Sequence, residues 1–383
     1  MASTSGREAA EAKAWEFFRS IGSPKFHVAP MVDQSELAFR LLCRRHGATA
    51  AYTPMLHSRI FSENEAYREE HFTTCTADRP LFAQFCSNDP EHLLAAARFV
   101  EDKCDAVDIN LGCPQRIARR GHYGAFLMED WDLIARMVRM LADNLSIPVT
   151  CKIRVYTDLQ KTLDYARMIE AAGASLVAVH GRTREQKQAE KVRANWDYIK
   201  AVKEALRIPV LANGNIRHLQ DVHDCMAYTG VDGVMSAESL LDDPALFLDR
   251  RLQHEAAPPH LAGCKLMLEY LDLTDEFTTP GRMMCGHAFK MLGPWLSEHT
   301  DLRDTLANNP STTSGLRDLT LELQHRIIAS GRTTPSPKLS ERARARMERD
   351  TAVEKSIAEQ LRERRALEAL QPAAPAREVQ LTA

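Results

Sequence analysis

Short apolar runs alternate with longer amphipathic stretches through the first two thirds of the chain. Eight runs read as strands: residues 27–32, 49–54, 81–86, 106–111, 149–155, 175–180, 210–213 and 233–236. Between them, apolar positions recur at helical spacing over 35–46, 90–103, 130–144, 159–172, 196–206 and 218–228, and a further helix is expected over 244–254. The interval 58–78 is less regular. Strict alternation of strand and helix argues for a parallel sheet, and eight repeats in roughly 220 residues is the size of a (β/α)8 TIM barrel. The competing open, doubly wound sheet needs a glycine-rich turn after its first strand. Here the first strand runs into Ala29-Pro30-Met31-Val32-Asp33 instead.

Pro258-Pro259 marks a boundary. Beyond it the pattern is helical, with apolar positions at Leu266, Tyr270 and Leu271, then His287, Phe289 and Leu292, then Leu316, Leu319, Leu323 and Ile327. The expected organisation is an N-terminal extension (1–24), a barrel (25–257), a small all-helical C-terminal domain (258–330) and a charged tail (331–383). The tail reads as solvated helix or disorder, because its apolar residues are too few to bury a core.

Composition narrows the class. Hydrophobic residues are 44% and charged residues 26% of the 383, and the net charge is −3, so any nucleic-acid surface has to be a local patch. None of the nine cysteines forms a CxxC pair, so a metal site is not expected. Their odd count and scattered spacing fit reduced thiols rather than a disulfide framework. No apolar leader or membrane-length run occurs. A cytoplasmic location is expected, with a nuclear one also open, and a monomer with no membrane association.

In a barrel, chemistry gathers where strands end. The predicted strands end in Pro30, Met31 and Val32; Gln84; Asn110 and Cys113; Lys152 and Arg154; His180 and Arg182; Asn213, Gly214 and Asn215; and Ala237 and Glu238. An amide, an ammonium, an imidazole and a thiol on one rim suit an anionic, heteroaromatic cofactor. Lys152 and His180 can donate to a negatively charged ring, and Gln84 can both donate and accept. The turns at 213–215 and after Ser236 offer backbone N–H groups to a phosphate. Each residue also has a bland reading: Lys152 and Arg154 as paired barrel charges, His180 as a structural histidine, Cys86, Cys104 and Cys151 as packing. The recurrence at one end of successive strands weighs against it.

These segments, in this order, resemble the tRNA-dihydrouridine synthase family. They are Ala-Pro-Met-Val at 29–32, Gln-Phe-Cys at 84–86, Asp-Ile-Asn-Leu-Gly-Cys-Pro at 108–114, Cys-Lys-Ile-Arg-Val at 151–155, Val-His-Gly-Arg-Thr-Arg-Glu-Gln at 179–186, Ala-Asn-Gly-Asn-Ile at 212–216 and Gly-Val-Met-Ser-Ala-Glu at 233–238. The stretch 120–128 and the Ala237-Glu238 ending resemble a eukaryotic branch of that family. Many relatives carry Gly-Arg at this last pair, which leaves backbone contact as the expectation for Ala237 and Glu238.

The resemblance implies an FMN-dependent oxidoreductase that saturates the C5–C6 bond of a uridine in the tRNA D-loop, at positions 16 and 17, with NADPH as electron donor. It makes Cys113 the proton donor to C5, since a free thiol, ionising at about pH 8.5, is protonated at neutral pH. The cofactor would be held by Pro30, Met31, Val32, Gln84, Lys152, His180, Asn213, Gly214, Asn215, Ala237 and Glu238. Asn110 would sit beside the target base. Arg116, Arg119, Arg120 and His122, on a loop after Cys113, together with Arg182 and Arg184, would contact RNA, and the helical domain would clamp it. Two other readings are a flavin barrel acting on a free small molecule and a noncatalytic tRNA-binding protein. The arginine loop weighs against the first, and the presence of Cys113 against the second.

Overall fold

Eight parallel strands close into a ring: β1 (Phe26–Val28), β2 (Ala50–Tyr52), β3 (Leu81–Cys86), β4 (Ala106–Leu111), β5 (Val149–Arg154), β6 (Leu176–His180), β7 (Val210–Asn213) and β8 (Gly233–Ser236). β1 pairs with both β2 and β8, and β2 with β3, so no edge is left. A two-residue strand, Leu56–His57, adds to the end of β3. The architecture is a (β/α)8 barrel followed by a helical region, in a computed structural model that describes residues 4–187, 192–249, 258–308 and 312–335. The chain divides into two units, 1–335 and 336–383. The second, which holds nearly all of the predicted tail, lies outside the described residues, as do residues 250–257 at the predicted domain boundary.

Strands β3, β4, β7 and β8 match their predicted limits. β1 and β2 are shorter, because Pro30 and Pro54 follow closely and proline has no N–H for a ladder. Several barrel helices start behind an Asx cap. Asp89 accepts from Glu91 and His92, Asp130 from Leu133, Asp158 from Lys161, and Asn195 from Asp197 and Tyr198. The irregular interval forms two short helices, Ser58–Glu63 and Glu65–His71. It is anchored where buried Asp78 accepts from Arg40 (2.6 and 3.0 Å) and Arg44 (3.1 Å). The helix predicted from Pro244 does not form over 244–249, where the chain makes turns, and the rest of it is outside the described residues.

The N-terminal extension contains a helix, Thr4–Ser20, that the sequence pattern did not suggest. Its Phe17 and Phe18 close the N-terminal end of the barrel. They pack into one cluster with Tyr52, Phe82, Leu176, Leu211 and Met235. Phe17 meets Phe82 edge-on at 6.3 Å, and Trp15 Nε1 donates to Arg207 O at 2.7 Å. Chemistry is therefore confined to the other end.

The C-terminal region is built of helices Ala262–Glu276, Gly281–Met291, Gly293–Leu296, Thr300–Asn308 and Thr313–Ser330. It docks on the helix Leu37–Arg45 through buried polar contacts. Tyr270 Oη donates to Glu36 at 2.7 Å, His287 Nε2 lies 3.1 Å from Glu36, and the His287 ring stacks on Phe39 at 4.3 Å.

Candidate active site

Side chains alternate along each strand, so residues 108 and 110 of β4 both point into the barrel. Strand register aligns them with neighbours: Gln84 with Asp108 and Thr150, Asn110 with Lys152, and Arg154 with His180 and Asn213. The upper half of the barrel interior is thus a polar ring beneath the C-terminal mouth.

Cys113 leaves β4 at that mouth. It is half-buried, with Cys86, Ala118 and Tyr123 against it. Three bonds shape its turn. Asn110 Oδ1 accepts from the N–H of Gly112 (3.2 Å) and of Cys113 (2.9 Å), and Arg154 Nε donates to Gly112 O (2.8 Å). The next segment folds back over the turn, with Ala125 N donating to Cys113 O at 3.1 Å. Gly124, at φ +64°, allows this. A Cβ there would stand 2.8 Å from Cys113 O.

The mouth is rich in cations and poor in anions. Burial first, and then Arg154, pulls the Lys152 ammonium down to about 8, with Asp108 and Cys113 acting the other way. It stays largely protonated at neutral pH, and no hydrogen bond or ion pair engages it among the described residues. Burial and the charges of Lys152, Arg154 and Arg182 push the His180 imidazole well below its ordinary value, so it is neutral. Arg182 Nη1 lies 2.9 Å from His180 Nε2, which therefore accepts. The His180 proton then resides on Nδ1, as a donor.

Beyond β7, Gly214 (φ +108°) and Asn215 (φ +62°) adopt left-handed backbone. A Cβ on Gly214 would meet Ala194 Cβ at 2.6 Å and His180 Cδ2 at 3.1 Å. Asn215 ties the turn to Ala194 at both ends of its amide (3.0 and 3.1 Å). Among the described residues the backbone N–H groups of Gly214, Asn215 and Ala237 form no hydrogen bond. Pro30 and Met31 are partly exposed, Val32 is exposed, and Glu238 is exposed at the start of a short helix.

Two residues move from their expected places. Gln84 is fully buried, and both ends of its amide are engaged, Nε2 on Asp108 and Oε1 with Asn110, each at 2.8 Å. It lies beneath the floor. Arg182, expected to face RNA, is 5% exposed. Its guanidinium binds Val192 O (2.7 Å), His180 and Asn215 Oδ1 (2.9 Å), so it supports the site from below. Asn213 is also nearly buried and donates to Met235 O. Arg184 is partly exposed over the Phe126 ring. Arg116, Arg119 and Arg120 are exposed as expected, on a short helix (Arg116–Gly121) rather than a loop.

Sequence reasoning gave no role to Asp108 or Thr150. The available signal was an acid two positions before Asn110, hence on the same inward face. Among the described residues no group of three His, Cys, Asp or Glu is placed to hold a metal ion, and no helix is long and apolar enough to cross a membrane.

A family model described as dihydrouridine synthase (Dus) matches residues 27–327. A Mus musculus protein named tRNA-dihydrouridine(16/17) synthase NAD(P)(+)-like is 51% identical over 298 residues, covering 77% of this chain and 61% of that protein. The Saccharomyces cerevisiae tRNA-dihydrouridine(16/17) synthase NAD(P)(+) is 49% identical over 301 residues, 76% of this chain and 71% of that one. A Homo sapiens tRNA-dihydrouridine(20a/20b) synthase NAD(P)+-like protein is 39% identical over 266 residues, 69% and 80%. The chain thus spans about three fifths of the length of the mouse relative.

Proposed function

The chain belongs to the dihydrouridine synthase family, and from that premise we propose that it reduces uridines 16 and 17 of the tRNA D-loop, using FMN and NADPH. The observation that carries the reading is Cys113, held at the barrel mouth by Asn110, whose own neighbour across the strand pair is an unpaired Lys152.

The residues present fit FMN. Lys152 is a cation without a counter-charge in contact, suited to a ring that becomes anionic on reduction. His180 offers Nδ1–H. The unengaged N–H groups of Gly214, Asn215 and Ala237 suit a phosphate. FMN, when bound, supplies the hydride for C6 of the uracil, drawn from NADPH.

The protein's own residues do the rest. Cys113 donates a proton from Sγ to C5, and the rigid turn keeps that thiol aimed at one place. Asn110 stands beside the base and fixes the turn. Arg182 keeps His180 in one tautomer. Exposed Arg116, Arg119 and Arg120 flank the mouth next to Cys113, where they can neutralise phosphates of an RNA whose uridine has been turned out of its stack. Arg184, partly exposed, belongs to the same surface.

The test is direct. Purified protein should carry flavin absorbance and, given NADPH and unmodified tRNA, should form dihydrouridine at positions 16 and 17. Absence of bound flavin, or of product with active tRNA, contradicts the reading. Product at 20a or 20b alone would overturn the assigned positions.

A further inference from the structure

The turn that carries Cys113 is tied to a buried chain of side chains whose direction is not symmetric. Thr150 Oγ1 donates to Asp108 Oδ1 at 2.6 Å. Gln84 Nε2 donates to Asp108 Oδ2 at 2.8 Å, and Asn110 Nδ2 donates to Gln84 Oε1 at 2.8 Å. Asn110 Oδ1 then accepts from Gly112 and Cys113. Asp108 and Gln84 are both fully buried, so water cannot substitute for either partner.

A primary amide can face either way, but an ionised carboxylate only accepts. Ionised Asp108 therefore forces the Gln84 amide nitrogen toward itself and the Gln84 oxygen toward Asn110. That in turn forces the Asn110 nitrogen toward Gln84 and its oxygen toward the turn. A protonated Asp108 could instead donate to the Gln84 oxygen and reverse both amides. The Asn110 nitrogen would then oppose the N–H groups of Gly112 and Cys113, donor against donor, and the turn would lose its anchor.

We infer that Asp108 is a positioning residue whose ionisation sets the direction of this amide relay and thereby holds Cys113 in place. This rests on the reading of Cys113 as proton donor.

The surroundings single out Asp108 as the group that titrates in the working range. Burial raises its carboxyl to about 6, partly opposed by Thr150, Gln84 and Lys152. The titratable groups that act on it from other strands are Tyr52 on β2 and Lys152 on β5, with Cys151 behind it on the outer face of β5. Burial pushes Tyr52 and Cys151 well up, so both stay neutral, and Lys152 titrates above the window at about 8.

The experiment uses the full chain with flavin bound and reduced beforehand. Single-turnover reduction of unmodified tRNA is followed from pH 7.5 to 5. The wild-type rate should fall about tenfold, as expected for one group ionising near pH 6. Asp108→Asn, which cannot titrate, should lose this pH step while keeping the fold. Thr150→Val removes a donor to the carboxylate, so the midpoint should move to higher pH. A second readout needs no substrate. Protection of the Cys113 N–H from hydrogen exchange, corrected for intrinsic rate, should fall from pH 7.5 to 5 in the wild type and stay constant in Asp108→Asn.

An unchanged pH step in Asp108→Asn, an unmoved midpoint in Thr150→Val, or constant Cys113 protection in the wild type would overturn the inference. Absence of dihydrouridine at every pH would instead sink the proposed function, and the exchange measurement would still decide the relay.

Discussion

The two halves of the barrel interior are built from the same strands and do opposite things. The lower half is apolar and aromatic: Tyr52 stacks on Phe82 at 4.6 Å, and Phe17 and Phe18 close the end. The upper half, one or two residues further along each strand, is a polar ring of Gln84, Asp108, Asn110, Thr150, Lys152 and His180. Each half buries a titratable group, and the two groups have opposite consequences. His27, in the lower half, is held neutral, its imidazole lowered to about 4 by burial. Asp108, in the upper half, has its carboxyl raised to about 6 and is still ionised at neutral pH. The lower half is arranged for stability. The upper half keeps a buried charge at a cost, as functional sites do.

Three predictions test this contrast. The largest concerns the lower half. Phe82→Ala should destabilise the protein by about 3–5 kcal/mol, through lost burial and a cavity. Flavin affinity per folded molecule should be unchanged, as measured by urea denaturation and flavin titration. A large loss of flavin affinity with intact stability would erase the division between the halves.

The next concerns pH. His27 binds its proton more weakly folded than unfolded, so stability should fall as pH drops from 6.5 through about 4, at a full cost of about 3 kcal/mol. His27→Gln can still donate to Pro24 O, as the His27 ring does at 2.8 Å, and should not show this component. Denaturation curves of both proteins across that range check it, and equal acid sensitivity contradicts it.

The smallest has the opposite sign. A raised carboxyl means that Asp108 favours folding below its unfolded value near 3.8 and loses that contribution as pH rises through about 6. Asp108→Asn should therefore be more stable than wild type at pH 7.5, by at most about 3 kcal/mol. A clear loss of stability there would mean that the carboxylate holds the barrel together rather than costing it.

Much of the upper half was legible in the sequence because the chemistry recurs at the ends of successive strands. Cys113, Lys152 and His180 could be placed on one rim from strand positions alone. What escaped notice depends on long-range partners. The companions of Asp108 are 24 and 42 residues away on neighbouring strands, so its role appears only once the register is known. Arg182 looked like a surface arginine, yet its guanidinium turns back onto His180, two residues earlier, and onto Asn215 across the next turn. The plugging helix was missed because Trp15, Phe17 and Phe18 crowd one end of a polar segment instead of recurring along a stripe. Their partners, such as Phe82, lie far along the chain.

The central claim is that Cys113 protonates the substrate while Lys152, His180 and the turns at Gly214, Asn215 and Ala237 hold the cofactor. Its most direct test compares wild type and Cys113→Ala in two separate half-reactions. Both proteins should retain flavin, and NADPH should reduce that flavin at similar rates. On mixing with unmodified tRNA, the wild type should reoxidise and form dihydrouridine, whereas Cys113→Ala should do so about 10²–10⁴-fold more slowly, the usual contribution of a positioned general acid. Equal rates of tRNA reduction in the two proteins would remove Cys113 from that role and contradict the account.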